Sequence, residues 1–218
     1  MDKPYFQQNL QYTQDLLIDE NGKFVMMEWE RPIMKKAAED ICKNGGDILN
    51  VGFGMGIIDS YIEEHSINSH WIIEAHPEVQ KKILDDGWGE KKHVKLIFQP
   101  WQEVLDKLPK FDGIYFDTWS EDQTNFDQYV PNILKPKGIY SFFNNPTSYN
   151  EEFNYPYLAL QQYIQSPVNE FYEKGPASPE RFYKFNIKFS SIKVDPPKNN
   201  GYFNPNKTTY WHPILTFK

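Results

Sequence analysis

An apolar, β-prone run broken by three evenly spaced glycines constrains this chain more than any other stretch. Residues 47–56 read Asp-Ile-Leu-Asn-Val-Gly-Phe-Gly-Met-Gly, so Ile48, Leu49 and Val51 lead into Gly52, Gly54 and Gly56. Ile57-Ile58-Asp59-Ser60-Tyr61-Ile62 then resumes at helical spacing. Strand, glycine turn and helix in that order open a nucleotide-binding βαβ unit. Glycine suits such a turn because it accepts positive φ and lets a ligand approach the backbone. A second apolar run, His70-Trp71-Ile72-Ile73, ends in Glu74. That is about twenty residues past the first glycine, where doubly wound folds place a carboxylate that accepts hydrogen bonds from a ribose.

The spacing is Gly-x-Gly-x-Gly, not the Gly-x-Gly-x-x-Gly of dinucleotide sites, and position 59 is Asp. No Lys-Ser or Lys-Thr follows, which excludes a phosphate-cradling loop. A turn without pyrophosphate chemistry, followed by an acidic residue, fits a nucleoside lacking phosphates. S-adenosyl-L-methionine is the candidate that follows. The same residues also build a strand–turn–helix with no ligand, and that reading stays open here.

The rest of the chain keeps the rhythm. Pro32 stands near the start of a helix that Asn44-Gly45-Gly46 ends. Strands are expected at 47–51, 70–74, 94–98, 112–117 and 139–143, with helices at 57–65, 77–86, 101–108 and 124–134 between them. The alternation predicts a mostly parallel, doubly wound α/β sheet. Past 145 the pattern changes to a helix at 152–164 and two long strand-like segments, 182–194 and 208–217. Joined by the loop at 195–201, these add an antiparallel pair to the sheet edge. Residues 1–24 read as polar and loosely helical at best, with Asn21-Gly22 marking a turn.

Composition narrows the function classes. A length of 218 residues fits one domain with a full core. A net charge of −7, with arginine only at Arg31 and Arg181, argues against a nucleic-acid surface and suits a cationic partner. The single cysteine, Cys42, falls in a helical apolar pattern and excludes an intrachain disulfide, which suggests a reducing compartment. No apolar run reaches membrane-spanning length and no signal-peptide core is present, so the expected location is cytoplasmic, with the nucleus as a second place. His65, His70, His93 and His212 show no ligand spacing with Cys42 or with carboxylates, so no metal is expected.

Several segments then match a known pattern in order. They include Val25-Met26-Met27-x-Trp29-Glu30-x-Pro32-Ile33-Met34 and Leu49-Asn50-Val51-Gly52-Phe53-Gly54-Met55-Gly56-Ile57-Ile58-Asp59. Glu74-Ala75-His76-Pro77-Glu78-Val79, Gly87-Trp88-Gly89-Glu90, Trp101-Gln102-Glu103-Val104, Phe111 through Thr118, and Gly138-Ile139-Tyr140-Ser141-Phe142-Phe143-Asn144 follow. Together they resemble the methyltransferase domain of fungal and plant type IV protein arginine methyltransferases, whose nearest relative is guanidinoacetate N-methyltransferase.

That resemblance implies a class I, Rossmann-like methyltransferase fold with residues 1–24 as an N-terminal lid and 25–218 as the methyltransferase domain. It implies S-adenosyl-L-methionine as donor, S-adenosyl-L-homocysteine as product, and methylation of the δ-nitrogen of arginine. The partner would be a protein arginine, ribosomal proteins among the targets, or a small guanidino compound. Guanidinoacetate methyltransferases carry an acidic residue where this chain has Asn50, which argues against guanidinoacetate. By resemblance Asp117 binds the guanidinium, aided by Glu30, and a carboxylate fork would fix both charge and orientation. The donor set is the backbone of Gly52, Phe53, Gly54, Met55 and Gly56 with Ile57; Glu74 for the ribose with Ala75 and His76; Pro100, Trp101 and Gln102 for the adenine; and Asp117 with Thr118. Met27 and Trp29 resemble a segment that folds over the donor.

Each assignment has a plainer alternative on the residues alone. Asp117 also suits a strand-end cap, Glu30 an acid at a helix start, and His76 a helix-start histidine. Met27, Trp29 and Trp101 equally suit a core. A donor-binding protein without catalysis is the alternative from another class.

Overall fold

The computed structural model describes residues 3–119, 126–144, 184–203 and 205–218. The main sheet has strands β4 (Asp47–Val51), β5 (Ser69–Ile73), β6 (Val94–Ile97), β7 (Phe111–Phe116), β8 (Leu134–Phe142), β9 (Phe185–Lys193) and β10 (Thr209–Phe217). They stand in the order β6-β5-β4-β7-β8-β10-β9. β6, β5, β4, β7 and β8 pair in parallel, while β10 pairs antiparallel with both β8 and β9. The expected doubly wound sheet with its C-terminal antiparallel pair is therefore present. Strand order reverses between β4 and β7, and ligands of such sheets lie outside the carboxyl ends at that point.

Alternation along the central strands builds two cores. Leu49, Val51, Ile114 and Phe116 face one side, packing with Trp101, Leu105, Phe126 and Val130. Ile48 and Tyr115 face the other, against Met34, Ala37, Ala38 and Ile41. Helix α1 (Arg31–Ile41) presents those residues as one stripe, with Pro32 in its first turn. Gly45 and Gly46, both at positive φ, follow it. Helix α2 (Ile57–Ile62) lays Ile57, Ile58 and Ile62 on the same core. Fully burying each such side chain contributes about 1.5–3 kcal/mol. Cys42 is buried here, and burial pushes its thiol up to about 12, as for a structural residue. Helix α3 (Pro77–Asp85) and the short α4 (Val130–Ile133) complete the described helices.

Three local expectations need correction. Residues expected to be loosely helical form a three-stranded antiparallel sheet instead: β1 (Gln11–Tyr12), β2 (Leu16–Ile18) and β3 (Phe24–Met27). Strands of two to four residues are too short for a period to register. They are held by tertiary packing, with Leu17 fully buried against the α1 core. The expected helix at 101–108 is two 3₁₀ turns, Trp101–Glu103 and Leu105–Lys107. The strand expected at 139–143 begins earlier, so that Lys135-Pro136-Lys137-Gly138 lies inside β8, where the register with β7 shifts between Phe111 and Gly113. Lys135 pins that irregularity by reaching Asp47 at 2.9 Å and Asp112 at 2.6 Å. The expected helix at 152–164 lies outside the described residues, as does part of the one at 124–134. Among the described residues no helix is long and apolar enough to cross a membrane.

Candidate functional site

At the strand-order reversal the glycine turn leaves β4 and meets the end of β7. Gly52, Gly54 and Gly56 all have positive φ, at 93°, 56° and 71°. Their missing side chains make room for protein atoms. A Cβ on Gly52 would meet the Asp117 carbonyl, one on Gly54 the Met26 sulfur, and one on Gly56 the Phe53 ring. Gly56 caps α2, where Ile57 begins the helix buried. The Met55 amide lies 3.3 Å from Met26 Sδ, so the methionine over the turn is Met26. Met27 instead buries its side chain with Ile33, Tyr202 and Tyr210.

Beneath the turn, Asn50 is fully buried and its Nδ2 donates to Gly52 O at 2.9 Å and to both oxygens of Asp59 at 2.9 and 3.0 Å. His70 stands between Asp59 Oδ1 at 3.1 Å and Glu63 Oε1 at 3.0 Å. Burial opposes charge on this imidazole, but the two carboxylates outweigh it and raise its pKa.

At the end of β5, Glu74 is buried, one oxygen accepting Phe53 N at 3.0 Å and the other His76 N at 2.7 Å, with the Ala75 amide as a further donor. Burial raises its pKa against those hydrogen bonds. A carboxylate offers about four acceptor positions, so these amides leave capacity for a ribose hydroxyl. Ala75 is half-buried, and Gln80 Nε2 donates to its carbonyl at 3.0 Å. His76 caps α3, its Nδ1 accepting from Glu78 N at 3.2 Å, and its ring lies 4.8 Å from that of Tyr5. The N-terminal segment closes over this edge. Leu10 N donates to Glu78 Oε2 at 2.7 Å and Tyr12 Oη to Gly54 O at 3.1 Å. Burial and the nearby Glu74 raise the pKa of both Tyr5 and Tyr12.

After β6, Trp101 is 5 % exposed and meets Phe116 and Phe126 edge-on at 6.0 and 5.4 Å, so its ring belongs to the core. Pro100 precedes it half-buried, and Gln102 is exposed.

Asp117 follows β7, its amide donating to Val51 O at 2.9 Å, with Thr118 half-buried beside it. Burial pushes the Asp117 carboxyl up to about 7. Glu30, ahead of α1 and 2 % exposed, is raised to about 8 by burial and by the charge of Asp117. Glu30 Oε1 accepts from Met27 N at 2.7 Å and from Tyr202 Oη at 2.5 Å. The buried Glu30 and the half-buried Asp117 thus form one region of like charge. Among the described residues, neither forms an ion pair with a Lys, Arg or His. Trp29 lies against the same wall, its ring 5.2 Å from Phe203 and 6.1 Å from Tyr202.

Sequence reasoning missed Tyr202, Met26, Tyr12 and Asp59 as neighbours of this site. Asn200-Gly201 signals only a loop. In space Asn200 clamps it, Nδ2 donating to Pro197 O and to Phe203 O at 2.8 Å, and Oδ1 accepting from Tyr202 N at 3.0 Å. Among the described residues no group of three His, Cys, Asp or Glu could hold a metal.

Comparison with known proteins bears on this arrangement. A family model described as guanidinoacetate N-methyltransferase matches residues 6–214. The chain is 46% identical over 153 residues to protein arginine N-methyltransferase 2 of Candida glabrata, covering 64% of this chain and 37% of that one. It is 36% identical over 230 residues to the protein of the same name from Saccharomyces cerevisiae, covering 98% of this chain and 52% of that one. The chain thus spans about a third to a half of the length of these curated relatives. A crystal structure of precorrin-6y C5,15-methyltransferase from Geobacter metallireducens superposes with a TM-score of 0.58 at 11% identity, covering 96% of this chain and 93% of that one. At that identity the likeness is one of fold.

Proposed function

The chain belongs to the guanidinoacetate N-methyltransferase family, and from that premise we propose that it moves a methyl group from S-adenosyl-L-methionine to a guanidinium nitrogen of a protein arginine, preferentially the δ-nitrogen. The observation that carries this reading is the carboxylate pair beside the glycine turn, Glu30 buried and Asp117 half-buried, with Asp117 close enough for its charge to raise Glu30. A planar cation is the ligand that two such acids at one sheet end would neutralise. The names of the curated relatives support arginine as its source.

The residues fit the donor. The turn at Gly52, Gly54 and Gly56 would face its methionyl part, and Glu74 keeps an acceptor position for a ribose hydroxyl. When bound, the donor supplies a sulfonium methyl and departs as S-adenosyl-L-homocysteine. Residues 1–24 act as a lid over the 25–218 domain, supported by the contacts of Tyr5, Leu10 and Tyr12 with His76, Glu78 and Gly54.

Asp117 and Glu30 do the rest. A guanidinium has a pKa above about 12 and a delocalised lone pair, so its nitrogens attack poorly. Carboxylates on two nitrogens draw the positive charge toward themselves and leave the third with more electron density. They also fix it in line with the methyl, which supplies much of the rate. The N–C bond forms as the S–C bond breaks, and the methylated nitrogen sheds its proton. The ionised carboxylates that hold the cation are the nearest acceptors for that proton.

Guanidinoacetate is the second reading, favoured by the description of the family model. Against it stands Asn50, a neutral amide engaged by Asp59 and Gly52. Incubation with isotopically labelled donor and either an arginine-rich protein extract or guanidinoacetate separates the two, with fragmentation of the product to locate the methyl. Label on the arginine δ-nitrogen is the expected result. Label on guanidinoacetate alone contradicts the protein reading, and donor binding without transfer to either contradicts catalysis. The buried Cys42 suits a reducing compartment, which supports a cytoplasmic or nuclear location.

A further inference from the structure

We propose that Tyr202 is a positioning residue for guanidinium capture, its hydroxyl fixing the Glu30 carboxylate and its ring forming one wall of the space that Glu30 and Asp117 share. The inference rests on the function proposed above and adds to it a residue from the opposite end of the chain. Tyr202 and Glu30 lie 172 positions apart, yet Tyr202 Oη is 2.5 Å from Glu30 Oε1. The hydroxyl and Met27 N, at 2.7 Å, converge on the same oxygen of Glu30. Oε1 is thus saturated by the protein, while Oε2 accepts no hydrogen bond from the described residues and is left for a cation's N–H.

The ring is held as firmly as the hydroxyl. It lies 6.1 Å from Trp29, 6.5 Å from Trp119 and 6.4 Å from Phe143, the last two edge-on. Aromatic faces beside a carboxylate pair attract a flat, weakly hydrated cation and exclude water from it. Asn200 and Gly201, the latter at φ 82°, fold the loop between β9 and β10 into the tight turn that presents this ring. The titratable groups facing Glu30 among the described residues are Asp117 and Tyr115 from the β7 end and Tyr202 itself.

The hydroxyl favours the ionised form of Glu30, because it donates to the carboxylate. Without it, Glu30 would hold its proton to higher pH, and a cation would have to displace that proton on binding. Tyr202→Phe keeps the ring and removes only this donor, so its effect is read as a shift in pH dependence.

The test uses the full chain with S-adenosyl-L-homocysteine. Calorimetry with an arginine-containing peptide is run from about pH 6 to about pH 9, beside carbon-13 NMR titration of the Glu30 carboxyl. For Tyr202→Phe the expected result is unchanged S-adenosyl-L-homocysteine affinity and peptide binding weakened about 10-fold near neutral pH. The peptide-binding and Glu30 midpoints should both rise by about one pH unit. In a Glu30→Gln background, Tyr202→Phe should add less than about 2-fold, since it acts through Glu30. Equal peptide affinity and an unmoved Glu30 midpoint in Tyr202→Phe would overturn the assignment. So would an undiminished effect in the Glu30→Gln background. If wild type binds no guanidinium at any pH, the function proposed above fails. The Glu30 midpoint then decides the role of Tyr202 by itself: a rise supports the hydroxyl contact and no change overturns it.

Discussion

A Cβ on Gly52 would lie 1.9 Å from the carbonyl oxygen of Asp117. The first glycine of the turn and the acid at the end of β7 are therefore packed backbone to backbone. The Asp117 amide donates to Val51 O and the Gly52 amide to Ile73 O, both at 2.9 Å. The turn and the Asp117 backbone form one unit, so the turn cannot move without moving the acid.

Gly52→Ala tests that unit. The substitution combines φ 93° with a backbone collision, and no flexible side chain can yield. A loss of about 2–4 kcal/mol in urea unfolding is expected. Affinity for both S-adenosyl-L-homocysteine and a guanidinium should fall together. A variant as stable as wild type would show that the two backbones are not in contact.

Asn50→Asp should be costly for a reason unconnected with substrate. It places a second carboxylate against Asp59 where both are fully buried. The expected loss is about 3–5 kcal/mol in chemical denaturation. Asp59→Asn in the same chain should restore most of it, as the pair would again hold one charge. Additive losses in the double-mutant cycle would contradict this account.

Removing Glu74 acts on the donor. Glu74→Ala deletes the acceptor for Phe53 N and His76 N together with the proposed ribose partner. S-adenosyl-L-homocysteine binding should weaken by about 1.5–3 kcal/mol, measured calorimetrically. Unchanged affinity would take Glu74 out of the site.

The raised carboxyls of Glu30 and Asp117 give stability a definite pH slope. Unfolded, these acids ionise near about 4; folded, they hold protons to about 8 and about 7. Between those limits the native state binds more protons, so these groups lower stability as pH rises from about 4 to about 8. Glu30→Gln with Asp117→Asn should flatten the slope in urea unfolding series. A guanidinium ligand should bind more tightly at the alkaline end, releasing protons as it does.

The fold was legible because its strands are long enough to carry a period and its breaks fall on glycine. The run from Ile48 to Gly52 and the strand leading up to Asp117 each stand where the pattern puts them. The N-terminal sheet was not legible, since Leu16–Ile18 offers three residues and owes its pairing to partners elsewhere in the chain. Within the site, Glu30 and Asp117 came from the family pattern, and their proximity could be known only in space. Tyr202 was hidden more deeply still. It lies in a loop whose only local signal is Asn200-Gly201, and its meaning comes from a contact with Glu30 at the far end of the sequence. Trp101, an aromatic marked for the adenine, sets its ring edge-on against the stacked pair Phe116 and Phe126, a packing that sequence spacing does not show.

The most direct measurement of the central claim is single-turnover transfer from labelled S-adenosyl-L-methionine to an arginine peptide, by wild type and by Asp117→Asn. The account predicts a methylated arginine from wild type. From the variant it predicts transfer slowed at least about 100-fold, about 2.7 kcal/mol, with S-adenosyl-L-homocysteine affinity held within about 3-fold. Transfer by Asp117→Asn at the wild-type rate would contradict it, because the acid beside the glycine turn would then have no part in holding the cation.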